Sequence, residues 1–148
     1  MSLRILLIDD HTLFRVGLQG LLAHRGIEVV GAVGDGQEGL ELAETLRPDV
    51  VLLDMRMPGM DGLGVLRQLR QSGLKMPIAM LTTSSNEQDL VEALRSGAQG
   101  YLIKDMEPDD LVVALRDIVA GKTVVAPDLA PVLAKVVQGE SVTARDPS

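Results

Sequence analysis

Short apolar runs alternate with amphipathic stretches along most of this chain. Four runs are Ile5–Ile8, Val50–Leu53, Ile78–Leu81 and Tyr101–Ile103, and a further extended stretch covers Glu28–Val33. Between them, apolar residues recur three or four positions apart, which is typical of amphipathic helices. Five strand–helix units with short connections predict a five-stranded parallel sheet with helices on both faces. We expect an α/β, doubly wound, flavodoxin-like (β/α)5 fold with strand order 2-1-3-4-5.

The repeat divides the chain into a folded unit and a tail. The 148 residues suffice for one domain with a short appendage. We assign residues 1–121 to the domain and residues 122–148 to a linker, because the sequence becomes polar toward its end. Within the linker, residues 124–125 are predicted to be extended, and Asp128 is predicted to cap a helix over Leu129–Val137.

Composition excludes several classes of function. The net charge of −7 argues against binding DNA phosphates directly. Phe14 and Tyr101 are the only aromatic residues, so a surface that stacks nucleic-acid bases is excluded. The chain has no cysteine, which suits the cytoplasm. No apolar stretch approaches the ~20 residues that span a bilayer, and no signal peptide precedes the first run, so we expect no membrane association.

Four of the apolar runs end abruptly in polar residues. Asp9 and Asp10 follow the first run, while Asp54, Thr82 and Lys104 each follow a later one. The carboxyl ends of parallel strands meet at one edge of the sheet, where ligands of such folds bind. Three converging carboxylates suit Mg²⁺, and a carboxylate that emerges from a buried strand is the best candidate for a covalent phosphoryl acceptor. That residue is Asp54, and Thr82 and Lys104 are placed to contact the phosphoryl oxygens.

Ordinary structural roles compete with these functional ones. Asp9 and Asp10 are suited to capping a helix, and a lysine such as Lys104 is more often a solvated surface charge. Tyr101 most simply packs in the core, although the only tyrosine, three residues before Lys104, is also a candidate switch. His11 is not assigned a metal-binding role, because no second histidine stands at a metal-ligand spacing.

Three segments together resemble the receiver domain of two-component response regulators. They are DDHTLFRVGL, DMRMPGMDGL and GAQGYLIKDMEPDDLVVAL, and they are most similar to the NarL/FixJ (LuxR-type) subfamily. The resemblance runs from Leu3 to about Gly121. It implies that Asp54 is the phosphoaspartate and that a sensor histidine kinase supplies the phosphoryl group. It also implies that a helix-turn-helix DNA-binding domain follows the linker in a longer parent protein, where any DNA binding would reside.

The resemblance also implies a set of metal ligands. Asp10 is expected to bind Mg²⁺ directly, together with Asp54, and Asp9 is expected to be a close or water-mediated ligand. The backbone carbonyl of Arg56 is expected to complete the protein's share of the coordination.

We therefore interpret the chain as a phosphorylation-controlled switch and not as an enzyme with a separate substrate. Thr82 and Lys104 are expected to contact the phosphoryl group, and Tyr101 to be the aromatic residue that rotates in response. This response would bias an existing equilibrium and so control transcription through the output domain. The chain itself is expected to be a monomer or a weak homodimer, since rim charges contribute little to affinity.

Two other functions remain open. A metal-dependent phosphatase with an aspartyl intermediate would use the same acceptor, but it needs a second acid two residues after the nucleophile, where Arg56 stands. A nucleotide- or flavin-binding module would share the fold. The chain, however, lacks a phosphate-cradling glycine-rich loop and the aromatic residues on which a flavin ring stacks.

Overall fold

The computed structural model of the chain describes residues 2–57, 59–83 and 86–138 as a parallel sheet with helices on both faces. The strands are β1 (Arg4–Ile8), β2 (Glu28–Val33), β3 (Val50–Asp54), β4 (Ile78–Thr82), β5 (Gly100–Ile103) and β6 (Val124–Val125). The helices are α1 (Thr12–His24), α2 (Gly36–Leu46), α3 (Gly62–Gln71), α4 (Glu87–Arg95), α5 (Pro108–Val119) and α6 (Ala130–Gln138). Among the described residues, no helix has both the length and the apolar character needed to cross a membrane.

The strand order is 2-1-3-4-5-6, so the predicted order is confirmed and one strand is added. The added strand, β6, pairs in parallel with β5 through Gly100↔Val124 and Tyr101↔Val125. The sequence indicates that residues 124–125 are extended but not what they pair with. A two-residue run carries no alternating pattern that would specify a partner, whereas the open edge of β5 offers one.

Two apolar layers hold the sheet. One lies between the sheet and helices α1 and α5, and the other lies between the sheet and helices α2, α3 and α4. Along β1, Ile5 and Leu7 face the first layer, whereas Leu6 and Ile8 face the second. Strands covered on both faces must be apolar at every position, which explains the continuous runs in the sequence. The polar residue that ends each run marks the point where the strand leaves the core.

The segment after α5 differs from its prediction. A one-turn 3-10 helix spans Pro127–Leu129, and α6 begins only at Ala130, so Asp128 lies inside the turn and does not cap α6. Pro127 favours the first position of such a turn, and the buried Leu129 packs it into the core. β6 pairs with β5 and α6 contacts α4, so the described part of the segment after α5 packs against the rest of the structure. The division at residue 121 stays a prediction, and residues 139–148 lie outside the described residues.

Gly62, the first residue of α3, lies against the backbone that follows β3. A Cβ atom here would stand 2.2 Å from the carbonyl oxygen of Asp54 and 2.8 Å from the Cα of Met55. We expect Gly62→Ala to lower the free energy of unfolding by about 1–3 kcal/mol, as overpacking does. Gly20→Ala in α1, where a Cβ meets nothing within 4 Å, should raise it by about 0.5–1 kcal/mol. Urea denaturation measures both variants, and equal effects would contradict the steric argument.

Candidate functional site

The carboxyl ends of β1, β3, β4 and β5 bring the predicted site residues to one edge of the sheet. Asp9 directly follows β1, Asp54 and Thr82 end β3 and β4, and Lys104 directly follows β5. Asp9, Asp54 and Thr82 are buried, with 0%, 2% and 1% of their surface exposed, and Asp10 is half-buried. The ends of four strands therefore bring polar groups together in one largely enclosed site.

Lys104 is the counterion of the buried carboxylates and not a solvated surface charge. Its Nζ lies 2.9 Å from Oδ2 of Asp9 and 3.4 Å from Oδ2 of Asp54, and its side chain is 8% exposed. The ammonium also lies 4.8 Å from the centroid of the Phe14 ring, within the range of a cation–π contact. A single ammonium thus faces two buried carboxylates.

The negative charge of the Asp54 carboxylate is only partly balanced by its neighbours. Its Oδ1 accepts a hydrogen bond from the backbone N–H of Arg56 at 3.3 Å. Burial, reinforced by the negative charge of Asp9, raises the pKa of Asp54 to about 6, although the Arg56 N–H and the Lys104 ammonium act in the opposite direction. Ionisation of Asp54 in the fold therefore costs free energy, and a further positive charge beside the carboxylate would reduce that cost.

This pKa has a testable consequence for stability. Because the pKa of Asp54 in the fold, about 6, lies above its ordinary value of 3.8, the folded chain binds this proton more tightly than the unfolded chain. The contribution of Asp54 to stability is therefore most favourable at low pH and falls as the pH rises from about 4 to about 6. A shift of about two units corresponds to about 3 kcal/mol. In metal-free buffer at pH 8, we expect Asp54→Asn to be more stable than the wild type by up to that amount.

Urea denaturation at several pH values measures the effect, and the gain should shrink as the pH is lowered toward 4. The matched control is Asp35→Asn. Asp35 follows β2 at the same edge and caps α2 by accepting a hydrogen bond from the N–H of Glu38 at 3.0 Å. Asparagine caps a helix as well as aspartate does, so this control should change stability little. A pH-independent gain in Asp54→Asn would contradict the assigned cause.

The acidic cluster fits a divalent cation. One ligand atom each from Asp9, Asp10, His11 and Asp54 lies within 4.8 Å of the others. Oδ1 of Asp10 is buried and accepts no hydrogen bond from any described residue. Three carboxylates against one ammonium leave a surplus of negative charge, and Mg²⁺ is held in proteins by one or two carboxylates with water and phosphate oxygens. The residues present are therefore suited to Mg²⁺.

His11 belongs to this cluster, although the sequence interpretation set it aside. Its Nδ1 lies 3.2 Å from Oδ1 of Asp9, 3.7 Å from Oδ1 of Asp10 and 3.6 Å from Oδ2 of Asp54. The backbone explains this position: His11 is the N-cap residue of α1, and its N–H donates to Oδ1 of Asp9 at 2.8 Å. Rules based on the spacing of two histidines do not detect a single histidine that directly follows two aspartates.

Tyr101 lies in β5, beside Thr82 of the neighbouring strand β4. Its ring is fully buried. Burial, reinforced by the negative charge of Asp89 in α4, raises the pKa of Tyr101 to about 12, and the hydroxyl of Thr82 and the charge of Arg56 oppose that rise. The guanidinium of Arg56 pairs with Asp89, with 2.5 Å between Nη2 and Oδ2. Residues from β4, β5, α4 and the loop after β3 therefore form one electrostatic group next to the acidic cluster.

Comparison with known sequences places the chain in a family. The model of the response regulator receiver domain matches residues 5–116. The nitrate/nitrite response regulator protein NarL of Escherichia coli (strain K12) is 47% identical over 140 residues, which cover 94% of this chain and 65% of that protein. Response regulator GacA of Pseudomonas aeruginosa is 35% identical over 133 residues, which cover 89% of this chain and 62% of GacA. The chain thus spans just under two thirds of the length of these curated relatives.

Solved structures agree with the sequence comparison. The signal receiver domain of a NarL response regulator from Mycobacterium tuberculosis has a TM-score of 0.78 at 37% identity, over 82% of this chain and 98% of that one. A two-component response regulator of the LuxR family from Aurantimonas has a TM-score of 0.86 at 32% identity, over 93% and 99% of the two chains. The chain belongs to the response regulator receiver domain family, within the NarL/FixJ subfamily.

Proposed function

We propose that Asp54 accepts a phosphoryl group from the phosphohistidine of a sensor histidine kinase, and that this modification controls a DNA-binding output domain in a longer parent protein. The observation that carries the proposal is the position of Asp54: a buried carboxylate at the end of a central strand, close to the acidic pair and to Lys104. The family supports the same role, since relatives along nearly the whole chain are named response regulators. A cytoplasmic location belongs to the proposal as well.

The two oxygens of Asp54 differ in their surroundings. Oδ1 accepts the Arg56 N–H, whereas Oδ2 faces Lys104 and Nδ1 of His11, and one of these two oxygens attacks phosphorus. The new bond joins this oxygen to phosphorus, the bond from phosphorus to the donor imidazole nitrogen breaks, and that nitrogen keeps the electron pair. Mg²⁺ bound by Asp10 and Asp54, with Asp9 and the Arg56 carbonyl, would reduce the repulsion between the anionic donor and the acceptor.

Thr82 and Lys104 connect the modification to the rest of the fold. In the unmodified chain Lys104 is paired with Asp9, and Thr82 lies next to Tyr101. A phosphoryl group on Asp54 offers both residues charged oxygen acceptors, and charge-assisted hydrogen bonds are about twice as strong as neutral ones. Their movement would change the surroundings of Tyr101 and the position of α4, which shifts an existing equilibrium.

The arrangement favours this switch over a phosphatase. A phosphatase with an aspartyl intermediate needs an acid two residues after the nucleophile, and Arg56 occupies that position with its guanidinium paired to Asp89. A guanidinium does not give up its proton in proteins, so Arg56 is unsuited to protonate a leaving group. The chain is therefore proposed to assist its own phosphorylation and dephosphorylation without acting on a separate substrate.

Incubation with acetyl phosphate and Mg²⁺, followed by intact mass spectrometry, tests the proposal. We expect one labile phosphoryl adduct per chain, which is lost on mild base treatment. Absence of any adduct at saturating Mg²⁺, from acetyl phosphate and from a phosphorylated kinase alike, would overturn the proposed function.

The proposal also predicts the oligomeric state. α4 and α5 carry charged residues of both signs, among them Glu92, Arg95, Asp110 and Arg116, and exposed charges contribute little to affinity. We therefore expect the chain to sediment as a monomer or a weak dimer, and to change its association when a phosphoryl mimic such as beryllofluoride is added. A tight dimer that the mimic leaves unchanged would show that association is not part of the switch.

A further inference from the structure

His11 faces charges of both signs through one nitrogen atom. Nδ1 is 2.9 Å from the ammonium of Lys104 and 3.2 Å from Oδ1 of Asp9. An ammonium has donors only and a carboxylate has acceptors only. Without a proton, Nδ1 accepts a hydrogen bond from Lys104, but its lone pair repels the oxygen of Asp9. With a proton, Nδ1 donates to Asp9, but it can no longer accept from Lys104. No protonation state of the imidazole satisfies both neighbours.

A cation bound by Nδ1 and the carboxylates would remove the conflict between Nδ1 and Asp9. Lys104 would then lose its acceptor on Nδ1 and keep Oδ2 of Asp9 and Oδ2 of Asp54 as its partners. Nδ1 lies 3.2, 3.7 and 3.6 Å from one oxygen each of Asp9, Asp10 and Asp54. Two ligands that are each about 2.1 Å from an ion lie about 3 Å apart at a right angle and about 3.4 Å apart at the tetrahedral angle. The distance to Asp9 lies within this range, and the distances to Asp10 and Asp54 exceed it by 0.3 and 0.2 Å, a gap that a small movement of the exposed imidazole would close. The buried Oδ1 of Asp10, which accepts no hydrogen bond from a described residue, is one of these oxygens.

We propose that His11 is a nitrogen ligand of the divalent cation at this edge, and that it gives the site a preference for borderline transition ions such as Zn²⁺. Oxygen ligands alone suit Mg²⁺, whereas imidazole nitrogen suits zinc, copper and nickel. The inference rests on the proposed function only in using the same carboxylates. It adds a ligand and a class of metal that a carboxylate site would not favour.

The first experiment compares the binding of two metals to matched variants of the whole chain. Calorimetric titration with Zn²⁺ and, separately, with Mg²⁺ is carried out on the wild type, His11→Gln and His24→Gln. His24 is the other histidine of the chain and lies exposed in the last turn of α1, which makes it the control for surface binding. We expect His11→Gln to weaken Zn²⁺ binding by tenfold or more and Mg²⁺ binding much less, since even partners that only orient a ligand change affinity by about 10–100-fold.

The second experiment needs no variant. In a chain labelled with ¹⁵N-histidine, saturating Zn²⁺ should shift the Nδ1 resonance of His11 and leave that of His24 in place. An unchanged His11 resonance, or a His11→Gln variant that binds Zn²⁺ as tightly as the wild type, would overturn the proposal. Equal loss of Zn²⁺ and Mg²⁺ affinity would overturn the metal preference.

The failure of this inference and the failure of the proposed function are distinguishable. Labelling of the wild type by acetyl phosphate in Mg²⁺ depends on Asp54 and not on Zn²⁺. If the adduct forms while His11 proves not to bind metal, only the inference about His11 fails. If no adduct forms while Zn²⁺ binds through His11, the phosphoacceptor proposal fails and the metal site stands.

Discussion

Asp54→Asn is expected to take up no phosphoryl group from acetyl phosphate in the presence of Mg²⁺, whereas the wild type gains one labile adduct. Asparagine keeps the size and shape of the side chain but has no carboxylate oxygen with which to form an acyl phosphate. Asp54 is the carboxylate that ends the fully buried strand β3, with the Arg56 N–H on one oxygen and the Lys104 ammonium near the other. Intact mass spectrometry before and after treatment measures the result.

The control for this prediction is Asp35→Asn. Asp35 is an exposed carboxylate at the same edge of the sheet, and asparagine retains its capping role. This variant should be labelled as fully as the wild type. An adduct that persists in Asp54→Asn would contradict the assignment of Asp54 as the phosphoryl acceptor.

Asp10→Ala is expected to lose metal-dependent phosphorylation while its fold remains intact or becomes slightly more stable. The substitution removes an oxygen ligand, but it also removes a carboxylate whose buried Oδ1 accepts no hydrogen bond from any described residue and which lies among other negative charges. Relief of such like-charge repulsion is stabilising, so loss of labelling would not reflect unfolding. Labelling at saturating Mg²⁺ and urea denaturation measure the two effects separately.

Asp105→Ala is the matched control, because Asp105 is an exposed carboxylate directly after Lys104. It should retain labelling. Undiminished labelling of Asp10→Ala would contradict its role as a metal ligand. Equal losses in both variants would mean that general negative charge near Lys104, and not a specific ligand, is what phosphorylation requires.

The placement of the acidic pair, Asp54, Thr82 and Lys104 at one edge was predictable from local patterns. Strands covered on both faces are apolar at every position, and a polar residue at the end of such a run marks the carboxyl end of a strand. Val50–Leu53 followed by Asp54 is the clearest example, because the strand is fully buried and Asp54 is its last residue. Chain direction and parallel pairing then require these ends to meet.

Contacts between distant segments were not predictable in the same way. The pairing of Arg56 with Asp89 joins residues 33 positions apart, and that of Lys104 with His11 joins residues 93 positions apart. Neither contact follows from periodicity or from a spacing rule, since each depends on how two distant segments fold over the same edge. The role of β6 was missed for a related reason: its two residues acquire a partner only once β5 is in place.

The position of β3 determines where a phosphoryl group can be accommodated. β3 lies between β1 and β4 and is hydrogen-bonded to both, and just beyond Asp54 the N–H of Met55 donates to the carbonyl of Leu81 at 2.9 Å. Hydrogen bonds to both neighbouring strands therefore hold the backbone at Asp54 and limit its movement when bulk and charge are added. Displacement is therefore expected in the groups around Asp54, with Lys104 and Thr82 moving first and Tyr101 and α4 responding to them. Because β3 holds Asp54 in place, phosphorylation of this residue would move the groups around it and leave the strand where it is.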